Sequence, residues 1–340
     1  MIQKKFNDIS IIAEIGNAHE GSFALACSYI ESAKKSGADA VKFQTHISEA
    51  ESSNYDKFRI KSKYIDDKSR NIYWDRTSFT LNQYKRLKKL TEKLGMFFLS
   101  SPFSLEAVDL LKKINVKAWK IGSGELTNYP MIEKIARTKK PIIISTGLSN
   151  INEIKSTIKL IKKYHSNIII MQCTSLYPCP DDKIGLNVIS ELKKKFPYKV
   201  GFSDHSGDPT IGIAAYSMGA EILEVHVTYD KDIKTFDSSS SLDFKELEFL
   251  KKSLNRIKII KSNKINKNKI PKYLISNKKL FEKSIFLKKD LKKGSLIKLD
   301  DISFKKPVVG MHAKEYKSVI GKKLKINLKK GNPLLKKNIK

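Results

Sequence analysis

Pro141–Cys173 reads PIIISTGLSNINEIKSTIKLIKKYHSNIIIMQC. It opens on a β-branched run, Pro141–Ser145, passes through a polar turn, and becomes a helical pattern over Ile154–Tyr164. Apolar residues recur there at Ile154, Ile158 and Ile161. It closes on a second β-branched run, Ile168–Gln172. Two short strands joined by a helix form a crossover unit, and a crossover makes its strands parallel.

The same texture extends in both directions. Upstream, the spacing predicts strands at Ile9–Glu14, Ala40–Gln44, Met96–Ser100 and Ala118–Ile121, and downstream at Lys199–Phe202 and Ile222–His226. Helical patterns follow each strand: Ser22–Ser36, Leu81–Leu94, Leu105–Lys113, Met131–Thr138, Val188–Phe196, Thr210–Met218 and Phe244–Lys261 complete the set. Eight strand–helix units in succession predict an α/β fold of the TIM (β/α)8 barrel type over residues 1–261. An open doubly wound sheet is the alternative, but the first turn reads EIGNAHEG and lacks the GxGxxG phosphate fingerprint. Ser48–Thr80 is long for a strand-to-helix connection and reads as an ordered active-site loop. Residues 262–279, rich in Lys and Asn and containing Pro271, read as a linker. Residues 280–340 resume with short β-like runs and Lys-Gly turns, a small and mostly β second domain.

The whole chain has 340 residues, 40% hydrophobic and 30% charged, which is enough to bury a core. No apolar run reaches the ~18 residues of a membrane span. The N-terminus has no apolar segment ending in a small-residue cleavage site, so no signal peptide is expected. Three cysteines without paired spacing point to a reduced, cytoplasmic protein. The net charge of +31 invites a nucleic-acid reading. Lysine supplies nearly all of it, spread over many helices, whereas base and phosphate recognition favours arginine forks. The charge is therefore read as a field that draws in anionic metabolites.

Barrel enzymes place their chemistry at the C-terminal ends of the strands. Here every predicted strand delivers polar groups at that end. Lys42 and Lys120, with the hydroxyls of Ser101, Ser123, Ser145 and Ser203, suit a ligand carrying both phosphate and carboxylate. Lys42 lies inside a strand, where a lysine needs a partner. His205 and His226 follow adjacent strands, and two neutral imidazoles suit a transition metal with open positions for water and substrate. Glu14, Glu20, Glu224 and Asp237 suit the hydroxyls of a polyol, or proton transfer. The cysteines read as small core residues, and His46, His165 and His312 as surface or loop residues.

The motifs IAEIGNAHEGS (Ile12–Ser22), GADAVKFQTH (Gly37–His46), FLSSPFS (Phe98–Ser104), AWKIGSGELTNYP (Ala118–Pro130), KPIIISTG (Lys140–Gly147), CTSLYPCP (Cys173–Pro180), GFSDHS (Gly201–Ser206) and EVHVTYD (Glu224–Asp230) together resemble the sialic acid synthase family. These are phosphoenolpyruvate-dependent synthases of nonulosonic acids. The tail, with KKDLKKGSLIKLDDI and KKPVVG, resembles the antifreeze-like SAF domain that ends them. The resemblance implies condensation of phosphoenolpyruvate with an open-chain N-acetylmannosamine-type sugar, C–C bond formation and release of phosphate by C–O cleavage. It implies His205 and His226 as ligands of a divalent metal, Mn²⁺ first, with Mg²⁺ or Co²⁺ as alternatives. It assigns Lys42, Ser101, Lys120, Ser123, Ser145, Ser175 and Ser203 to phosphoenolpyruvate. Glu14, Tyr177, Glu224, Asp237 and, in the tail, Lys306 fall to the sugar, with Glu14 also among the catalytic groups. It further implies a domain-swapped homodimer, with no nucleic-acid or membrane partner.

Two departures bear on the sugar. Thr235-Phe236-Asp237 stands where the family has Gly-Pro-Asp, and Lys306-Pro307 where it has Arg-Pro. Lysine keeps the charge but loses the fork. Synthesis of legionaminic or pseudaminic acid from a 2,4-diacetamido-trideoxyhexose is the alternative reading. A Schiff-base aldolase working through Lys42 or Lys120, and an inactive partner-binding barrel, are more distant ones.

Overall fold

The computed structural model describes residues 6–53, 55–58 and 64–340. The chain divides into two compact units, 1–260 and 261–340.

In the first unit the strands are β1 (Ile11–Gly16), β2 (Ala40–Thr45), β3 (Phe97–Pro102), β4 (Trp119–Ile121), β5 (Ile142–Ser145), β6 (Ile168–Cys173), β7 (Lys199–Asp204) and β8 (Leu223–Val227). Parallel ladders run β3-β2-β1-β8-β7-β6-β5-β4, so the first strand pairs with the last. β3 and β4 lie side by side but share no ladder among the described residues. The result is a nearly closed eight-stranded TIM-type barrel. A short ninth strand, β9 (Ser241–Leu242), extends the β8 edge.

The helices form where periodicity and caps agree. Asn150 caps the helix Ile151–Lys162 by accepting the N–H of Glu153, whose carboxylate accepts the N–H of Asn150 in return. Thr80 and Gln83 form the same reciprocal cap on Leu81–Lys93. Each such cap contributes about 1 kcal/mol. The helices bury their apolar faces on the outward side of the strands, against Val41, Phe98, Ile142, Ile144 and Ile170. Helices outside and a filled interior leave the strands buried on both faces.

The inward face is divided along its length. At the N-terminal end of the barrel, Ile12, Ala40, Leu99, Ala118, Ile143, Ile169 and Ile222 pack together as an apolar floor. Side chains in a strand alternate faces, so two residues further on the same face returns. There it carries Glu14, Lys42, Ser101, Lys120, Ser145 and Glu224. A second step brings Gln44 and His226.

Below the floor, Asp39 ties the first strand to the last long helix. Its Oδ2 accepts the N–H groups of Ser10 and Ile11 and the Lys251 ammonium, the last at 2.8 Å. The expected active-site loop Ser48–Thr80 holds two short helices, Ser48–Glu51 and Arg70–Thr77; its residues 54 and 59–63 lie outside the described residues.

The second unit has its own core of Ile285, Leu287, Ile297, Ile302, Met311, Val319, Leu324 and Leu334. Its sheet is the antiparallel pair β10 (Ser284–Leu287) and β11 (Ile302–Lys305). The other β-like runs meet through single bridges such as Leu296 with Lys323 and Leu324 with Ile339. The stretch read as a linker carries the helix Ile275–Phe281 across its end.

Candidate active site

Every barrel residue singled out from the sequence, Glu20 apart, lines one pocket of about 460 Å³ at the C-terminal ends of the strands. Its base is a buried charge cluster. Glu14 from β1, Lys42 from β2, Lys120 from β4 and Glu224 from β8 are each at most 4% exposed. The Lys42 ammonium lies 3.1 Å from Glu14 Oε1 and 3.4 Å from Glu224 Oε1. The Lys120 ammonium lies 3.1 Å from the same Glu224 oxygen and donates to Ser145 Oγ at 2.8 Å. Lys42 also donates to Ser101 Oγ at 3.3 Å, and Ser203 Oγ to Glu224 Oε1 at 3.2 Å.

The two lysines are not equivalent. Burial works against both ammonium groups. For Lys42 the carboxylates of Glu14 and Glu224 outweigh burial and raise its pKa. Lys120 has one close carboxylate, Glu224, and is repelled by Lys42, so its pKa falls below the ordinary lysine value. Burial alone would raise Glu224, but Lys120 and Lys42 hold it below the usual carboxylate range. The second oxygens, Glu14 Oε2 and Glu224 Oε2, are buried with no protein partner.

The turns after β4, β5 and β6 add small donors. Ser123 Oγ accepts the Gly147 N–H at 3.1 Å and lies 3.4 Å from Cys173 Sγ; Ser175 Oγ is 3.8 Å from that sulfur. A Cβ on residue 147 would come within 2.5 Å of Ser175 Oγ and 2.6 Å of Cys173 Sγ, so glycine is required for this turn to lie against β6. Cys173 was expected in the core without chemistry. It is buried, and it also lines the pocket.

One step nearer the mouth stand His205 and His226, their ring centroids 5.5 Å apart. His205 Nδ1 donates to the Thr174 carbonyl at 2.8 Å, which leaves the lone pair on Nε2. Burial lowers its pKa to about 3, so the ring is neutral. Tyr177 stacks on His205 at 4.0 Å and meets His226 edge-on. Asp237 Oδ2 lies 3.8 Å from His226 Nδ1. A neutral imidazole whose tautomer is fixed by a backbone carbonyl is the form that ligates a metal. Among the described residues no cluster of three or more His, Cys, Asp or Glu side chains is poised to hold an ion. A cation here would take two imidazoles and fill its other positions from water or substrate.

Two expectations need correction. Glu20 does not line the pocket: Arg76 binds it at 2.8 Å and the Tyr73 hydroxyl donates to it at 3.0 Å. His46 is a loop residue, as expected, but not a surface one. It is 6% exposed, lines the pocket, and stacks between Trp74 at 3.7 Å and Phe103 at 4.4 Å. Strand alternation carries a signal for it, because 42, 44 and 46 share one face. The aromatic wall of Phe58, Tyr73, Trp74 and Phe236 escaped sequence reading, since its members come from two distant loops. Lys306 belongs to the second unit, where its ammonium lies 5.2 Å from the centre of the Phe281 ring.

The NeuB family model matches residues 29–283, and the SAF domain model residues 282–340. The chain is 36% identical over 318 residues to the N,N'-diacetyllegionaminic acid synthase of Campylobacter jejuni subsp. jejuni serotype O:2, covering 92% of this chain and 94% of the relative. It is 32% identical over 336 residues to the pseudaminic acid synthase of the same organism, covering 96% and 95%. Among solved structures it is similar to an N-acetylneuraminic acid synthetase from Leptospira borgpetersenii serovar Hardjo-bovis, crystallised with citrate. That likeness has a TM-score of 0.69 at 29% identity, over 80% of this chain and 90% of that one. No helix among the described residues is long and apolar enough to cross a membrane. With a family model over most of the barrel and a second over the tail, the chain belongs to the NeuB family and ends in a SAF domain.

Proposed function

We propose that this chain condenses phosphoenolpyruvate with an open-chain N-acyl amino sugar to make a nonulosonic acid. Carbon 3 of phosphoenolpyruvate bonds to the sugar aldehyde carbon, water adds at carbon 2, and phosphate leaves by C–O cleavage. The observation that carries this reading is two buried lysines sharing one carboxylate oxygen at the base of a pocket whose next layer holds two imidazoles. Lys42 and Lys120, with Ser101, Ser145 and Ser203 beside them, bind and orient the anionic groups of phosphoenolpyruvate. Ser123, Ser175 and the tight Gly147 turn complete that wall. Glu14 and Glu224 serve the sugar hydroxyls, and the Glu14 carboxylate takes the proton that the adding water releases and passes it to the alkoxide that becomes the new hydroxyl. Tyr177 and Asp237 flank the imidazoles on the sugar side.

His205 and His226 would hold a divalent ion, Mn²⁺ first. Such an ion would supply Lewis-acid polarisation of the aldehyde. The homodimer implied by the sequence resemblance belongs to the same proposal, with Lys306 reaching the sugar; sedimentation of the full chain tests the dimer. The acceptor is N-acetylmannosamine or a 2,4-diacetamido-trideoxyhexose. Both kinds of product occur among the names of the relatives.

The test is phosphate release from phosphoenolpyruvate with Mn²⁺ and N-acetylmannosamine, 2,4-diacetamido-6-deoxymannose, its altrose-type isomer, or no sugar. We expect release that depends on one sugar and is lost with EDTA or with His226→Ala. No release with any sugar overturns the assignment. The lowered pKa of Lys120 favours a second reading, a Schiff-base aldolase. Borohydride trapping of a pyruvyl–lysine adduct would establish that reading instead.

A further inference from the structure

His46 sits outside the chemistry described so far, yet its hydrogen bonds end on a catalytic carboxylate. Its Nδ1 lies 2.7 Å from Glu51 Oε1 and its Nε2 3.0 Å from Gln44 Oε1. The Gln44 amide then donates from Nε2 to Glu14 Oε1 at 3.0 Å, the same oxygen that takes the Lys42 ammonium.

Donor and acceptor accounting fixes the roles. An ionised carboxylate only accepts, so Glu14 requires the amide nitrogen of Gln44 to face it. The amide oxygen must then face His46, and a carbonyl oxygen also only accepts. On its other side His46 meets the Glu51 carboxyl, whose second oxygen accepts the Ile47 N–H at 3.3 Å. The Gln44 oxygen only accepts, so His46 Nε2 carries a proton and donates to it. The ring itself is held in place: Trp74 and Phe103 cover its two faces with interplanar angles of 8° and 14°, and the Glu51 side chain is only 9% exposed. The backbone on either side is pinned as well. Tyr84 OH donates to the Gln44 carbonyl at 2.8 Å, and Ser78 Oγ to the His46 carbonyl at 3.0 Å.

We propose that His46, through a proton on Nε2, positions Gln44, and through it holds Glu14 Oε1 in place beside Lys42. This role rests on the synthase reading for its chemistry. Without the ring proton on Nε2, the Gln44 amide is free to turn over. Glu14 then loses the donor that fixes its orientation beside Lys42.

The test has two arms. In the first, ¹⁵N-histidine NMR of the full wild-type chain in neutral buffer, with His46 identified from the spectrum of His46→Ala, reads the ring directly. We expect a one-bond proton coupling on Nε2; a bare Nε2 overturns the proposal. In the second, His46→Ala is assayed by phosphate release. Removing a group that orients a catalytic side chain lowers kcat roughly 10–100-fold, with KM for phosphoenolpyruvate changed less than about threefold. Added imidazole restores kcat, whereas benzene, which fills the slot between Trp74 and Phe103 without donating, does not. Equal rescue by both, or an unchanged kcat, overturns the positioning role. If no sugar is turned over by the wild type, the reaction assignment fails on its own panel, and the ring spectrum alone judges His46. If His46→Ala does not fold, the wild-type chain titrated with Mn²⁺ and phosphoenolpyruvate still yields the ring spectrum, and the absence of an Nε2–H coupling from every histidine that Mn²⁺ leaves unaffected would overturn the proposal.

Discussion

The floor of the barrel and the charge cluster directly above it occupy the same inward face of the same strands, one alternation apart. Ile12 precedes Glu14, Ala40 precedes Lys42, Ala118 precedes Lys120, Ile143 precedes Ser145 and Ile222 precedes Glu224. Both layers are buried, and their energetics are opposed. The floor gains by burial, at roughly 25 cal/mol per Å² of apolar surface. Two lysines and two glutamates in the same surroundings cost several kcal/mol of desolvation per ion, and mutual pairing recovers only part of it. A barrel selected for stability alone would continue the floor upward. Under the proposed function this cost is the requirement of an anion site at the strand ends, with the stability supplied from below and from the helical shell.

Breaking the upper layer should show the largest effect. Lys120→Met removes the donor to Ser145 and one of three donors to Glu224. Loss of one such preorganised donor costs about 10²–10³-fold, and we expect kcat/KM for phosphoenolpyruvate to fall by that amount in the phosphate-release assay. Lys42 and Ser203 still hold Glu224 Oε1, so circular dichroism should report a folded barrel. A variant retaining more than a tenth of the activity would remove Lys120 from the anion site.

Breaking the lower layer should do the reverse. Ile143→Ala opens a cavity in a fully buried floor position. Large-to-small core changes of this kind cost about 2–5 kcal/mol, which urea unfolding would read. Activity per folded molecule should stay within about threefold, because the Ser145 carried two residues on keeps its Lys120 contact. A large loss of kcat with unchanged stability would show that the two layers are not separable.

The inequality of the two lysines sharpens the comparison within the upper layer. Burial and the neighbouring Lys42 bring the Lys120 pKa down, while Glu14 and Glu224 keep that of Lys42 up. As pH rises, Lys120 therefore loses its proton first and the site loses one positive charge. KM for phosphoenolpyruvate should rise on the alkaline side, with a midpoint below the ordinary lysine value of about 10.4. Lys120→Arg carries a guanidinium that does not titrate in this range, so its limb should move up or vanish. An unchanged limb in that variant would assign the titration elsewhere.

How much of this was legible in the sequence follows from the same alternation. A charged residue inside a β-branched run, such as Lys42 or Glu224, has no structural excuse and marks the base of the pocket. His226 stands out for the same reason. His46 obeys that rule too, two residues past Gln44, but it lies just beyond the β2 pattern and looks like a loop residue. Its partners Trp74 and Phe103 are brought to it by tertiary packing. Glu20 failed in the opposite way. Its nearness in sequence to Glu14 suggested a shared site, whereas Arg76 and Tyr73, more than fifty residues away, claim it. Such pairings depend on how the long second loop folds, which local periodicity does not encode. The tail's β-like runs are of the same kind, since only one pair becomes a ladder and the rest close as single bridges.

The smallest expected effect concerns a histidine that belongs to neither layer. His19 follows β1, is 1% exposed, and packs on Phe79 at 4.4 Å and Phe43 at 5.9 Å in the outer shell. Its Nδ1 accepts the Gly21 N–H at 3.1 Å. Burial lowers its pKa from 6.5 to about 3. Between those values the unfolded chain takes a proton that the folded chain refuses, so the unfolded state gains as pH falls. The His19 contribution to stability is full above pH 6.5 and is lost on acidification toward pH 3, with a slope of at most about 1.4 kcal/mol per pH unit. His19→Phe keeps the aromatic packing and removes the titration. Its Tm should fall less steeply between pH 6.5 and 5 than that of the wild type, with His205 supplying the acid sensitivity that remains. Parallel Tm–pH curves for the two proteins would mean that His19 takes up its proton within the fold, and that the outer shell admits a charge as readily as the upper layer does.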